Sequence, residues 1–173
     1  MSNLPKTGTA GRASTASPTP ATSVLQRARV RYRLHTYDHN PTTRSYGLEA
    51  AAALEVPASQ VFKTLVADVD GVLVAAIVPV SGSLDLKALA SARRGKQAVM
   101  AAQAAAERVT GYVVGAISPF GQRRKLPTVV DHTALDHETI YVSAGKRGLD
   151  IELSPTDLIR LTTATTARIA RIS

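Results

Sequence analysis

Val61-Phe62-Lys63-Thr64-Leu65-Val66-Ala67-Asp68-Val69-Asp70-Gly71-Val72-Leu73-Val74-Ala75-Ala76-Ile77-Val78-Pro79-Val80 is two apolar runs joined by Asp-Gly. Asp-Gly tolerates the positive φ angles of a tight two-residue turn, so the stretch predicts an antiparallel hairpin with strands over 61–69 and 72–80. One charge interrupts the first run. Lys63 must snorkel to solvent from an edge strand, find a partner, or serve a ligand.

Upstream of the hairpin, residues 1–20 are Ser, Thr, Ala, Pro and Gly with almost no large apolar side chain, and they predict a flexible tail before a domain over 21–173. Thr22 or Ser23 caps a short helix to about Arg29. Tyr32, Leu34 and Thr36 alternate with Arg33, His35 and Tyr37 as in a half-buried strand, so that His35 and Tyr37 share either a pocket wall or a solvated face. Asp38-His39-Asn40-Pro41 ends it with turn chemistry. Ser45 caps an alanine-rich helix over 46–54, and Pro57 marks the break after it.

Downstream, Ser83 opens a helix that ends near Gly95, and a second alanine-rich helix over 101–109 stops at Gly111. Thr110 to Pro127 then reads Thr-Gly-Tyr-Val-Val-Gly-Ala-Ile-Ser-Pro-Phe-Gly-Gln-Arg-Arg-Lys-Leu-Pro. Its non-alternating segment 112–117 predicts a strand buried on both faces. Gly115 and Pro119 break that run four residues apart, and three cations follow. The break is either a basic solvated loop or a bend that turns amides toward an anionic oxygen. Strands follow over 128–130, 139–143 and 149–153. Ser154-Pro155-Thr156-Asp157 starts a helix to about 162, and 167–172 closes the chain as an edge strand. Seven or eight short strands and four or five helices that do not alternate regularly predict an α/β fold. Its sheet is mixed and mostly antiparallel, or a barrel.

The 173 residues suffice for a core without staples, and there is no cysteine, which excludes thiolate catalysis and Cys-ligated metals. A net charge of +8 and a pI near 10.2 favour a polyanion, nucleic acid before an acidic membrane surface. The apolar runs are too short for a membrane span, and a cytoplasmic protein is expected. Phosphate-loop, dinucleotide and nucleophile-elbow motifs are missing, and Gly145-Lys146-Arg147-Gly148 only superficially resembles a phosphate loop. His35, His39, His132 and His137 form no helical pair for zinc, so neither metal nor cofactor is expected. In Leu149-Asp150-Ile151-Glu152-Leu153, alternation places Asp150 and Glu152 toward water. Arg93-Arg94, Arg123-Arg124-Lys125 and Lys146-Arg147 are solubilising charge or phosphate contacts.

Five motifs occur in order between about residues 34 and 153: His-Thr-Tyr-Asp-His, Val-Phe-Lys-Thr-Leu, Gly-Ser-Leu-Asp-Leu-Lys, Thr-Gly-Tyr-Val-Val-Gly-Ala-Ile-Ser-Pro-Phe-Gly and Ile-Tyr-Val-Ser-Ala-Gly-Lys-Arg-Gly-Leu-Asp-Ile-Glu-Leu. Together they resemble the YbaK/EbsC family. The resemblance implies a six- or seven-stranded mixed, barrel-like sheet with surrounding helices, shared with the editing domain inserted in bacterial prolyl-tRNA synthetases. It also implies removal of a wrong amino acid from tRNA in trans. The expected substrate is Cys-tRNA(Pro), cleaved through attack by the substrate's own thiol. The alternatives are a deacylase for Ala-tRNA(Pro) or another small aminoacyl-tRNA, and a module that binds tRNA or a synthetase without turnover. Prolyl-tRNA synthetase is the partner the resemblance implies.

Carried over by motif, the family's lysine falls on Lys63, its tyrosine on Tyr37, its aspartate on Asp150 and its serine on Ser143. Its Gly-x-x-x-Pro loop falls on Gly115, Ala116, Ile117, Ser118 and Pro119. Lys63, Tyr37, Asp150 and Gly115 are then the expected catalytic group, and Ala116 to Pro119 with Ser143 the substrate contacts. Arg123, Arg124, Lys125, Lys146 and Arg147 are expected on the acceptor stem. One departure stands inside the loop: Ala116 replaces a second glycine, and its methyl is expected to restrict the backbone and trim the pocket.

Overall fold

The computed structural model of the chain describes residues 18–172. In chain order they form α1 (Pro20–Ala28), β1 (Tyr32–Thr36), α2 (Tyr46–Ala53), β2 (Phe62–Val69), β3 (Val72–Pro79), β4 (Gly82–Leu84), α3 (Leu86–Ala92) and β5 (Ala98–Met100). These are followed by α4 (Gln103–Thr110), β6 (Thr128–Asp131), β7 (Ile140–Lys146), β8 (Leu149–Leu153), α5 (Pro155–Thr162), β9 (Thr165–Ala167) and β10 (Ala170–Ile172). Single 3-10 turns lie at Ala58–Gln60 and His132–Asp136.

The hairpin is the centre of the molecule. β2 and β3 pair from Val69↔Val72 to Phe62↔Pro79, and Asp70 and Gly71 take φ values of 50° and 90°, the positive pair such a turn requires. Asp68 Oδ1 accepts from the Gly71 amide, and the Asp70 carboxylate accepts from the amides of Lys96 and Gln97, tying the turn to the entry of β5. The five-stranded sheet runs β5-β2-β3-β6-β9, with parallel pairing only at β3–β6 and β6–β9. β1, β8 and β7 make an antiparallel three-stranded sheet, and β4 and β10 a two-stranded one. A lone parallel bridge, Val61 to Tyr141, joins the two larger sheets. The expected mixed, mostly antiparallel α/β architecture is found, with ten short strands. Their hydrogen bonding closes into no ring among the described residues.

The core is layered on both sides of the hairpin. Phe62, Val66 and Ile77 pack with Leu25, Val142, Ile151 and Leu158, while Ala67, Val74 and Val78 pack with Leu89 and Ile169 on the opposite face. A third cluster, Ala50, Ala51, Val61, Val80 and Tyr141, lays α2 across the seam of the two larger sheets. This cluster roofs the site.

Several boundaries differ from expectation. α1 starts at Pro20 and is capped by Thr19, whose side chain accepts from the Thr22 amide while its hydroxyl donates to the Ala144 carbonyl; Thr22 and Ser23 lie inside the helix. Of the predicted tail over 1–20, residues 1–17 lie outside the described residues, and Pro20 belongs to α1. Ser45 precedes α2 but makes no capping bond. α3 is capped by Asp85, because residues 82–84 are drawn into pairing with β10. The expected strand over 167–172 breaks in two, since the buried Asp131 carboxylate accepts from the Ile169 and Ala170 amides and bends the chain there.

The largest difference is at 112–117, which is a loop and not a strand. Its apolar residues divide between burial at Tyr112, Ala116 and Ile117 and exposure at Val113 and Val114, without pairing. Ala116, Ile117, Pro119 and Phe120 are buried, and the Tyr112 hydroxyl donates to the Phe120 carbonyl at 2.6 Å to close the loop on itself. Side-chain and turn bonds do the satisfying that a sheet ladder would otherwise do.

Candidate active site

One cavity of about 520 Å³ lies under the α2 roof, within the range of a small-molecule site. Lys63, Tyr37, Asp150, Gly115, Ile117 and Ser143 all line it. Sequence-distant positions on β2, after β1, on β7 and β8, and in the 110–127 loop therefore converge on one space.

β8 explains the convergence of polar groups. Asp150 stands opposite His35 on β1 and opposite Ser143 on β7, so these residues share a face, while Leu149, Ile151 and Leu153 point into the core. The alternation is therefore real, but its predicted consequence is not. Asp150 is only 5 % exposed, because the α2 cluster covers the face that alternation assigns to water. Burial pushes its carboxyl up to about 7. Tyr37, tied by its amide to the Gly148 carbonyl, has its phenol pushed up to about 12 by burial and then by the Asp150 charge. Glu152, on the same face, is held below the usual carboxylate range despite burial, by hydrogen bonds from Thr139 and His35.

Lys63 is half-buried, and desolvation lowers its pKa. Its ammonium donates to the Gly82 carbonyl at 3.2 Å, so its position is set by β4, which β10 holds in place. No ion pair within 4 Å joins Lys63 to Asp150 among the described residues, and the two remain separate polar groups of one cavity.

The loop presents its bend to the same space. Gly115 has a φ of 88°, and a Cβ built there would come within 2.3 Å of the Tyr46 ring. Both facts demand glycine. The amide of Ala116 is bonded to Val113 O and Pro119 has none, while Gly115 and Ile117 are the residues of this bend that line the cavity. Ala116 and Ser118 are fully buried and do not line it, and Pro119 faces a smaller neighbouring cavity of about 230 Å³. The methyl of Ala116 therefore costs nothing that was expected of it. Its φ is not positive and it is buried without lining the cavity, so Ala116→Gly is expected to leave turnover within about twofold, checked by single-turnover kinetics. Gly115→Ala is expected to lower activity at least ~30-fold and stability by about 1–3 kcal/mol, read by kinetics and thermal unfolding.

Among the cations, Arg147 alone of the expected set is engaged at the mouth. Its guanidinium lies 4.5 Å from the Tyr46 ring centroid and donates to Val114 O at 2.9 Å, bracing the Gly115 bend. Lys146 is exposed beside it. Arg123, Arg124 and Lys125 are exposed but none lines the cavity; Lys125 donates to the Thr163 hydroxyl. Sequence reasoning misses Arg44, Tyr46, Leu48, Thr64, Met100 and Gln103, which complete the wall. They carry no motif of their own, and only Thr64 has a signal, its place beside Lys63.

Residues 40–161 match the family model described as the aminoacyl-tRNA editing domain. The chain belongs to this family. A protein of Enterococcus faecalis described as the Cys-tRNA(Pro)/Cys-tRNA(Cys) deacylase EbsC is 39% identical to this editing domain over 121 residues, 69% of this chain and 73% of the relative. The crystal structure of the hypothetical protein APE2540 superposes with a TM-score of 0.80 at 25% identity, over 88% of this chain and 100% of the other. A crystal structure described as a trans-editing enzyme for prolyl tRNA synthetase gives 0.77 at 22% identity, over 90% and 99%, and so shares the editing-domain fold. α1, β1 and the strands β9 and β10 lie outside the matched 40–161, although β10 pairs with the strand that positions Lys63. No helix of the described residues is long and apolar enough to cross a membrane.

Proposed function

We propose that this editing domain is a trans-acting, cytoplasmic deacylase that removes cysteine from Cys-tRNA(Pro), with prolyl-tRNA synthetase as the partner that delivers it. The observation that carries the reading is the shared cavity: Lys63, Gly115, Ile117 and the buried Asp150 line one space of small-molecule size. An aminoacyl ester is already activated, so the protein's task is to hold its carbonyl among donors and admit a nucleophile.

In this mechanism Lys63 holds the terminal adenosine or its phosphate, and the Gly115 and Ile117 amides take the developing oxyanion. The cysteine sulfur attacks its own carbonyl carbon. A C–S bond forms, the ester C–O bond breaks, and the electron pair stays on the ribose oxygen, which receives the proton the thiol has lost. The thiolactone leaves without a protein nucleophile. Asp150, poised near neutrality by burial, and Tyr37 orient the aminoacyl group, and Ser143 completes the wall.

The test is single-turnover deacylation of Cys-tRNA(Pro), Cys-tRNA(Cys) and Ala-tRNA(Pro). Cys-tRNA(Pro) is expected to be cleaved fastest. A preference for Ala-tRNA(Pro) would replace the thiol by water as nucleophile, and no turnover on any of the three would make the domain a binding module. The surface charge adds a further prediction: tRNA binding weakens steeply with salt, and a flat response in filter binding would remove the basic clusters from the interface.

A further inference from the structure

Every residue from Phe62 to Val66 lines the cavity. Side chains of a strand alternate between faces, so a pocket lying on one face would meet only alternate residues. Five in succession place the cavity against the edge of β2, where both faces and the backbone between them are exposed to it.

The hydrogen bonding says which backbone groups meet it. Val69 and Val72 flank a two-residue turn and form a bonded pair, and the Val80 amide donates to Val61 O, so the odd-numbered residues of β2 bond toward β3. The Ala101 amide donates to Val66 O, so the even-numbered residues bond away from it, toward β5. Pairing on this side ends at Ala101, the residue after β5, and at the other end the bridge to Tyr141 occupies the edge at Val61. Between these ends, the Thr64 N–H and C=O point away from β3, and neither the β5 pairing nor the Tyr141 bridge reaches them. The Thr64 hydroxyl is buried and unpartnered. A buried strand edge with its ladder groups open is a template for one more extended segment.

Resting on the function proposed above, we infer that the aminoacyl ester docks on β2 as a one-residue strand, paired with Thr64. An aminoacyl ester has the same N–Cα–C=O order as a peptide residue. Its α-ammonium donates to the Thr64 carbonyl, and its ester carbonyl accepts from the Thr64 amide, the two bonds of one antiparallel pair. The carbonyl oxygen has a second lone pair, which faces the Gly115 and Ile117 amides across the cavity, so the oxyanion is gripped from two walls. Lys63 lies immediately before this pair, and the adjoining nucleotide follows the ester toward it. The aminoacyl backbone, common to all amino acids, is thus read by the strand edge, and selection among amino acids falls to the side-chain end of the cavity.

The experiment is amide hydrogen exchange on the uniformly 15N-labelled full chain, free and saturated with 3′-deoxy-3′-(L-cysteinylamino)adenosine, whose amide link resists cleavage. The Thr64 amide is expected to gain about tenfold protection, while Lys63 and Leu65, already in the β3 ladder, change less. If Gly115 and Ile117 respond and Thr64 does not, strand-edge docking is wrong and the deacylase reading stands. If no cavity amide responds, both fall together.

Discussion

Lys63→Ala is expected to lower single-turnover deacylation of Cys-tRNA(Pro) by at least about a hundredfold, the scale of removing a charge-assisted hydrogen bond from a desolvated site, while the thermal midpoint stays within a few degrees of wild type. Both halves follow from the geometry. The ammonium is half-buried with lowered pKa and a main-chain carbonyl as its partner, so the fold gains little from it and bears its desolvation. On the proposed reading, a cation kept at such a place by β4 serves the ligand. Retained turnover would remove Lys63 from the mechanism, and a collapse in stability would make it a structural residue of the hairpin.

Asp150→Asn is expected to stabilise the protein while disabling it. The folded carboxyl titrates near 7 against an ordinary value of 3.8, so below pH 4 both folded and unfolded chains carry it neutral and it has no effect. As pH rises from 4 to 7 the unfolded chain ionises first and stability is lost, and above 7 the loss is complete and constant. Raising the carboxyl from 3.8 to about 7 corresponds to an upper bound of roughly 4 kcal/mol. The variant should therefore unfold several degrees above wild type at pH 8, with the difference vanishing toward pH 4. Its activity should fall at least ~30-fold, and the change in kcat/KM expected for wild type near pH 7 should flatten. A pH-independent difference in midpoint, or a less stable variant at pH 8, would show that the carboxylate is not held under a desolvation cost.

These two side chains also show how far the sequence can be read. Lys63 is conspicuous because a cation in an apolar run contradicts its neighbours, and Asp70-Gly71 announces the hairpin that carries it through a local backbone requirement. Asp150 is not conspicuous, since alternation accounts for it. What covers its face is α2, contributed by a segment about a hundred residues away, and no local pattern encodes that packing. The 112–117 loop escapes for a related reason: an apolar run fixes neither burial nor pairing, and here Val113 and Val114 are exposed while Ala116 and Ile117 are buried in a loop folded onto itself. Arg147 is legible as charge but not as a brace, because its partners Tyr46 and Val114 are brought to it only by the fold. The open edge at Thr64 depends on where β5 stops, a fact of tertiary pairing alone.

That the Lys63 cation and the Gly115 bend grip one substrate end is tested most directly by single-turnover deacylation of Cys-tRNA(Pro) with wild type, Lys63→Ala, Gly115→Ala and the double variant. Groups that act as one unit on one ester are strongly non-additive, so the double variant is predicted to be no slower than the worse single variant. Losses that multiply would mean two independent sites, and would contradict the account.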